Sequence, residues 1–315
     1  MIRIIYSLHS SFSFYRYACF SFFCGEPLSK LIDDISQFDD VLTLKNKVFK
    51  SVHQAALNLQ DLSLDNPAKL SGEVFDYAYC FDTDGVKSEI VRAGTICCIV
   101  AYLFDDIQTA SKLIEICKSL EKYFGNIIHK VIFYFYEGLV TSSMARNAEK
   151  KDEFIKIIKE DIAKLELYAD NAPKNYYNKL MLLEAELAVM QNKESEANSY
   201  YQKAISVSNK NGFVNEEALS SERAAIFYLA LDSELFGTKL LLQSFNCYKV
   251  WGACSKMKHM IKRYPTLKAR LNDSSIRLNN APQNSIGNND DAEMISVLTD
   301  NFSLADISTS NEMGD

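Results

Sequence analysis

Cysteine is the first residue type in this sequence whose chemistry could support catalysis or metal binding. The chain has eight cysteines, but none forms a C-x-x-C pair and none has a histidine at the spacing of a metal ligand. The adjacent pair Cys97-Cys98 lies near Arg92, and a cation beside a thiol can activate it as a nucleophile. The apolar helix around the pair favours a buried, structural role. A thiol enzyme therefore stays an alternative to a non-catalytic protein, and no cofactor or metal site is predicted.

Histidines, carboxylates and nucleotide-binding motifs add no further site. All four histidines fall on separate predicted helices, without a cysteine or carboxylate at a helical offset, and are expected at the surface or half-buried: His9, His53, His129 and His259. Glu184 and Glu186 point to different faces of one helix, so they do not form a general acid and base pair. The P-loop, G-x-G-x-x-G, H-E-x-x-H, G-x-S-x-G and kinase H-R-D and D-F-G motifs are absent. The common nucleotide and hydrolase sites are thereby excluded.

A short basic helix is the second candidate site. The stretch CYKVWGACSKMKHMIKRYPTL carries the single tryptophan, Trp251, and then Gly252, which is suited to end a helix in the left-handed conformation. Tyr264 and Pro265 close the next helix. Its cations either bind a phosphate or keep a terminal helix soluble: Lys256, Lys258, Lys262 and Arg263. We interpret the stretch as a closing helix, with an anion patch as the alternative. If Lys256, Lys258 and Lys262 are solvated, reversal of their charges should have little effect on stability.

Composition predicts an all-α protein. Hydrophobic residues make up 48% of the 315 residues, and the 11 Gly and 5 Pro fall mainly between helix-period segments. The net charge of −7 provides no field that attracts nucleic acid or an anionic membrane. Unpaired thiols predict a reducing, cytoplasmic location.

Two interpretations remain open for residues 1–20. The segment is apolar and aromatic, but serines, His9 and Arg16 interrupt every apolar run. No run approaches the roughly 20 residues that a membrane-spanning helix requires. The segment is therefore either a targeting peptide or, as we prefer, a buried or groove-lining helix that begins the helical array.

Helix-period segments alternate with short breaks along most of the chain. Helices are predicted at 4–23, 27–37, 40–61, 86–103, 106–123, 127–144, 150–170, 175–191, 194–210, 215–231, 234–251 and 253–263. Most breaks are so short that consecutive helices must be antiparallel neighbours.

The C-terminal half repeats itself with a shift of about forty residues. Residues 175–210 and 215–251 form two helix pairs. Small residues recur where helices must approach closely, and bulky residues recur where they fill the core: Ala185 with Ala225, Ala197 with Gly237, Tyr201 with Leu241, and Ala204 with Ser244. The stretch EANSYYQKAI has the form of a tetratricopeptide second helix. The sequence therefore predicts a right-handed superhelix of antiparallel helix pairs, a tetratricopeptide-like α-solenoid.

The residues of these pairs resemble one arm of large multidomain signalling proteins. The motifs are N-A-P with a following aromatic, LLEAELA, Y-x-K-A-I, NGFVNEEALSSE, FYL and CYKVWGACSK with Tyr-Pro. In that family a tetratricopeptide-like arm follows a Ser/Thr-kinase-like domain and an AAA-type ATPase module, and precedes a GAF domain and a histidine kinase. The resemblance covers about 19–267 and is strongest over 168–267. Asn192 replaces the usual Gly of the family, and Gly237 replaces the usual Ala.

The resemblance implies a coupling arm without catalytic activity. Motifs of the kinase, ATPase, GAF and phospho-acceptor domains are absent from this sequence, so none of those activities is expected of the chain. An array of this kind presents a concave groove to a protein or peptide partner, or to neighbouring domains of a longer chain. We expect residues 1–267 to form the array and the Asn- and Ser-rich residues 268–315 to form a disordered tail.

Overall fold

The structure is a computed structural model that describes residues 2–37, 46–82, 84–125, 127–146 and 148–279. Across these ranges the chain is helical, with no β-strand and one isolated β-bridge between Ser71 and Asp76. The all-α prediction is therefore confirmed. The chain divides into two compact units, Met1–Met257 and Lys258–Asp315, and each is described by itself.

The α-helices of the described residues agree with the predicted helices to within a few residues at most boundaries. They are α1 (Ile2–Cys24), α2 (Leu28–Ser36), α3 (Lys47–Gln60), α4 (Lys87–Leu103), α5 (Ile107–Ser119), α6 (Ile127–Ala145), α7 (Asp152–Asn171), α8 (Pro173–Met190), α9 (Glu194–Asn211), α10 (Val214–Ala230), α11 (Glu234–Trp251), α12 (Cys254–Arg263) and α13 (Pro265–Asn279). A short 3-10 helix at Tyr77–Phe81 was not predicted, and the last residues of the helix predicted at 106–123 form a separate 3-10 helix, Glu121–Tyr123.

Two boundaries differ from the prediction for local reasons. Helix α3 begins at Lys47, because the side chain of Asn46 accepts hydrogen bonds from the amides of Val48 and Phe49, each at 3.0 Å, and so caps the helix. The predicted start of this helix at residues 40–45 lies outside the described residues. In the second unit, Pro265 does not only end a helix: it begins α13, since proline is favoured in a first helical turn. Residues 268–279, assigned to the tail from the sequence, therefore continue a helix, and 280–315 lie outside the described residues.

Helices of the first unit pack in sequence order. Helix α4 packs on α5, α6 on α7, α8 on α9, and α10 on α11, each pair joined by a short connection. Contacts between pairs connect α7 with α8 and α9 with α10, and the first helices of successive pairs also meet, α4 with α6 and α6 with α8. Each pair thus packs mainly against its neighbours along the chain.

The repeat predicted from side chains is also present in the backbone. Asn192 and Asp232, which the same shift relates, both adopt left-handed conformations with φ of 57° and 54°. Gly212 and Gly252 end α9 and α11 with φ of 79° and 87°. Asparagine tolerates this conformation because its short polar side chain can hydrogen-bond locally, so Asn192 can form the turn without a glycine.

The paired residues of the repeat lie inside the first unit. Exposure is 1% or less for Ala185, Ala197, Tyr201, Ala204 and Ala225. Gly237 is also buried, and a Cβ atom added there would lie 2.6 Å from Cγ of Leu229. Helices α10 and α11 therefore approach closely at a residue without a side chain. Tyr264, which belongs to the second unit, is also buried, with an exposed fraction of 7%.

Replacement of Ala204 by leucine is expected to destabilise the protein by about 1 to 3 kcal/mol. Ala204 is fully buried in α9, so the larger side chain has no space unless a neighbouring helix moves. Urea unfolding followed by circular dichroism measures the change. The control is Lys203→Leu at the adjacent exposed position, which should leave stability nearly unchanged. Equal stability of Ala204→Leu and wild type would contradict the observed packing of α9.

Candidate functional site

The cysteine pair predicted as a possible nucleophile is buried in α4. Cys97 and Cys98 are each 1% exposed, and burial raises the pKa of both thiols far above the ordinary value. Arg92, the expected activating cation, donates to the carbonyl oxygen of Ser88 at 2.6 Å and to the hydroxyl of Tyr15 at 3.3 Å. Protonated thiols are poor nucleophiles, so this environment does not activate the pair.

A maleimide added to the folded protein is expected to label Cys24 roughly ten times or more faster than Cys97 or Cys98. Cys24 is exposed at the end of α1, whereas the other two thiols react only after local opening. Peptide mapping of samples quenched at successive times gives the three rates. In urea the rates should converge. Fast, selective labelling of Cys97 or Cys98 in the folded protein would instead favour the thiol enzyme.

Aromatic side chains of α1 pack against the helix pairs. The rings of Tyr15 and Phe23 contact the imidazole of His129 in α6, with centroid distances of 6.3 and 5.3 Å. Further along α1, the ring of Phe22 lies 5.8 Å from that of Trp251 at the end of α11. Helix α1 therefore covers one face of the first unit, from α6 to the end of α11.

Polar contacts fix the C-terminal end of α1. The amide nitrogen Nδ2 of Asn215 in α10 donates to the carbonyl oxygen of Phe23 at 3.2 Å. Gly25 follows with φ of 77°, and an added Cβ atom would lie 2.5 Å from Oδ1 of Asn215. The chain therefore leaves α1 through a turn that passes very close to α10. In this position residues 13–25 pack as part of the helical unit.

His129 corrects one sequence-based expectation. The prediction of a surface or half-buried side chain is wrong, because His129 is fully buried where α1 covers α6. Both ring nitrogens lack a hydrogen-bond partner. Burial lowers the pKa of the imidazole to about 3, so the ring is neutral at physiological pH and packs as an aromatic group. No local pattern in the sequence indicates this burial, since the covering residues come from α1.

A small cavity lies beneath α1. Its volume is about 20 Å³, and it is lined in part by Phe22, Ile99, Ile132, Tyr136 and Trp251. Pockets for small organic ligands are usually several hundred Å³. This cavity is too small to hold such a ligand.

A buried ionic network lies between α6, α8, α9 and α10. Glu186 receives two hydrogen bonds from Arg223, at 2.9 and 2.6 Å, and one from the hydroxyl of Tyr201 at 2.7 Å. Ser142 and the partly exposed Arg146 approach the same carboxylate at 3.1 and 3.4 Å. Burial alone would raise the pKa of Glu186, but the two arginines together lower it to about 2. The carboxylate is therefore ionised and saturated with donors, which suits a structural role.

Lys256 is buried and is therefore not part of the predicted anion patch. This residue is 1% exposed, and its ammonium group donates to the carbonyl oxygen of Leu103 at 2.5 Å and to Glu222 at 2.9 Å. Tyr248 donates to the other oxygen of Glu222 at 3.2 Å. Lys256 therefore ties α10 to the C-terminal carbonyl of α4, where a cation is favoured, and reversal of its charge would leave two buried carboxylates together. The expectation that Lys256 is solvated is wrong, and reversal of its charge is now expected to destabilise the protein.

The other three cations of the patch belong to the second unit. Lys262 and Arg263 are exposed and Lys258 is half-buried. The basic surface is therefore smaller than the sequence suggested, because it has these three cations and not Lys256.

Two more buried glutamates lie in the first turn of α10. Glu216 pairs with Lys179 of α8 at 2.5 Å and also accepts a hydrogen bond from Asn178. Glu217 accepts from Asn209 at 3.0 Å and from Gln243 at 2.9 Å. Carboxylates are favoured in the first turn of a helix.

Sequence inspection missed this group of buried charges. A usable signal was present, because LLEAELAV and EALSSERAA place charged residues among small and apolar ones with no wholly polar face. Such a helix is surrounded by protein, and its charges then need partners.

Neither a metal-binding cluster nor a membrane-spanning helix is found among the residues that the structure describes. Among the described residues, no cluster of three His, Cys, Asp or Glu side chains is arranged to hold a metal ion. Over the same part of the chain, none of the helices combines the length and hydrophobicity needed to cross a bilayer.

Comparison with known proteins gives one informative similarity. The chain is 31% identical over 115 residues to the hybrid signal transduction histidine kinase G of Dictyostelium discoideum. The match covers 36% of this chain and 3% of the kinase, so the chain spans only a small part of that protein's length. No protein family model matches the sequence, and no solved structure matches it.

Proposed function

We propose that this chain is a non-catalytic, tetratricopeptide-like scaffold that couples signals through protein contacts. In this proposal the helix pairs from α4 to α11 form a solenoid, and its inner face binds a helix of a protein partner or of a neighbouring domain. Helix α1 occupies that face in the isolated chain.

The position of α1 is the observation that carries the proposal. Its aromatic residues Tyr15, Phe22 and Phe23 contact residues far apart in the sequence, namely His129 and Trp251. A helix that binds across several helix pairs through aromatic anchors makes the kind of contact that helix-in-groove recognition uses. The face therefore has the shape and the apolar character needed to hold a helix.

The remaining support comes from the repeat and from the relative. Recurring left-handed residues at Asn192 and Asp232, and at Gly212 and Gly252, give successive pairs the same turns, as stacking of equivalent units requires. The similarity to a hybrid histidine kinase favours a role in signalling over other uses of a helical array.

Release of α1 is expected to open the face for a helix added in trans. Phe22→Arg places a cation against Trp251 in a site that is 2% exposed, where an unpaired charge is strongly disfavoured. A labelled peptide of residues 2–25 should then bind the variant, as measured by fluorescence anisotropy, and should not bind the wild-type chain. Emission of Trp251 should shift to the red in the variant.

Phe20→Arg is the matched control, because it makes the same change in the same helix at a side chain that is 42% exposed. It should behave as wild type. Circular dichroism verifies that Phe22→Arg keeps its helices. If the folded Phe22→Arg variant does not bind the peptide, α1 does not occupy a helix-binding face and the proposal fails.

A further inference from the structure

Two cysteines that are distant in the sequence meet in the core of the first unit. Sγ of Cys80 lies 3.7 Å from Sγ of Cys97, and each residue is 1% exposed. Cys97 belongs to α4, whereas Cys80 belongs to the 3-10 helix Tyr77–Phe81. The pair therefore links α4 to the irregular segment between α3 and α4.

The neighbouring thiols have other partners. Sγ of Cys98 contacts the carbonyl oxygen of Ala110 at 3.8 Å, and Sγ of Cys117 contacts that of Val91 at 3.4 Å. Both act as donors to backbone, as a buried thiol does when it serves as a weak polar group. Cys80 and Cys97 are instead in contact with each other, which selects one pair from the many that eight cysteines allow.

We propose that Cys80 and Cys97 form a redox modification site that closes to an intramolecular disulfide in the presence of a peroxide. The sulfurs must approach from 3.7 Å to about 2.05 Å. This is a small movement for a residue on a short 3-10 helix. The bond would fasten the segment between α3 and α4 to the core helix α4, and cellular thiols would reverse it.

The reaction balances with peroxide as the sole oxidant. The Cys80 thiol loses its proton and its sulfur attacks one peroxide oxygen; the O–O bond breaks, and the departing hydroxide takes up that proton, so that a sulfenic acid and one water form. Sulfur of Cys97 then attacks the sulfenic sulfur, the S–O bond breaks, and the departing hydroxide takes the thiol proton as a second water. In sum, two thiols lose two protons and two electrons, and the peroxide takes up both to become two waters.

Access to Cys80 sets the rate of the reaction. The segment Asp61–Val86 contains one 3-10 helix and one isolated bridge among its described residues, so it has fewer regular backbone hydrogen bonds than the core helix α4. Side chains of Asn58 and Gln54 in α3 hold the backbone of residues 67–75, and the 3-10 helix that carries Cys80 lies beyond these anchors. Segments of this kind open locally at a lower free energy than core helices do. Burial raises the pKa of Cys97, which suits a thiol that waits for an oxidised partner.

The test is disulfide mapping of the full, folded chain. The protein is treated with hydrogen peroxide, free thiols are blocked with iodoacetamide during denaturation, and peptides from a digest without reductant are analysed by mass spectrometry. The main cross-linked peptide should join Cys80 to Cys97, both thiols should be lost in equal amounts, and dithiothreitol should restore them. Cys98→Ser, one residue further along α4, should keep the cross-link.

Loss of the partner should trap the intermediate. In Cys97→Ser, Cys80 should accumulate as a sulfenic acid that dimedone labels, and Cys80→Ser should leave Cys97 reduced; thermal melting checks that both variants are folded. The wild-type result does not depend on either variant. A main disulfide between other cysteines, or oxidation of Cys24 while Cys80 and Cys97 stay reduced, would overturn the proposal. Cross-linking that appears only in urea would also overturn it.

Discussion

The variant Arg223→Met is expected to lose about 3 to 5 kcal/mol of unfolding free energy, because it leaves a buried carboxylate without its main partner. Glu186 is 1% exposed, and Arg223 supplies its two parallel hydrogen bonds. Because methionine fills much of the volume of the arginine side chain, the lost unfolding free energy reflects the missing charge rather than a cavity. Urea unfolding at neutral pH measures the difference from wild type.

Two further variants test whether the unpaired carboxylate of Glu186 causes the loss of stability. The double variant Glu186→Gln with Arg223→Met removes both charges and keeps an acceptor for Tyr201, so it should recover a large part of the stability. Lys193→Met breaks an exposed pair with Glu196, in which the side chains are 48% and 53% exposed, and should have little effect. A loss in Arg223→Met no larger than that of Lys193→Met would contradict the account of the buried network.

The same network predicts a dependence on pH. The pKa of Glu186 is about 2 in the folded protein against an ordinary value of 4.5, so the folded state binds fewer protons than the unfolded state between these values. The stabilisation from Glu186 is therefore complete above about pH 4.5 and is lost as the pH falls through about 2. Urea midpoints measured from neutral to acidic pH should decline less steeply for Glu186→Gln than for wild type.

The variant Trp251→Ala is expected to lose about 3 to 5 kcal/mol of unfolding free energy, through lost aromatic burial and the cavity left behind. Trp251 is 2% exposed, and the centroid of its ring lies 5.8 Å from that of Phe22 in α1 and 6.4 Å from that of Tyr248. As the single tryptophan of the chain, it should emit at short wavelength in the wild-type protein. Because its partners lie on α1 and α11, the variant should lose hydrogen-exchange protection in both helices.

The adjacent Val250 provides the control for this prediction. Val250 is 67% exposed, so Val250→Ala should leave stability and exchange protection nearly unchanged. Red-shifted, easily quenched emission from wild-type Trp251, or a Trp251→Ala variant as stable as wild type, would refute the packing of α1 on the end of α11.

Helix positions and turns could be predicted because they depend on residues a few positions apart. Apolar residues at helical spacing located the helices, and Gly212 and Gly252 marked two ends through their left-handed conformations. The boundary of α3 followed the same local rule, since Asn46 caps it, although the sequence-based prediction began the helix earlier. Repetition of these local signals is what made the helix pairs recognisable.

Partners across the fold could not be predicted, because helical periodicity reports only which face of a helix is covered and not what covers it. The carbonyl oxygen that Lys256 binds is 153 residues away in the chain, so a lysine in a basic run was read as solvated. His129 is buried by residues of α1, and the carboxylate of Glu186 meets an arginine 37 residues away.

The sequence by itself determined an all-helical chain, the approximate positions of most of its helices and its repeated pairs, because hydrophobic spacing and left-handed turn residues act locally. Only the tertiary structure decided that α1 fills the face of those pairs, that Glu186 and Arg223 form a buried pair, and that Cys80 meets Cys97. Each of these contacts joins elements that the chain brings together only when the core forms. Burial then removes water from the charges, thiols and rings, and so sets their pKa values and their chemistry.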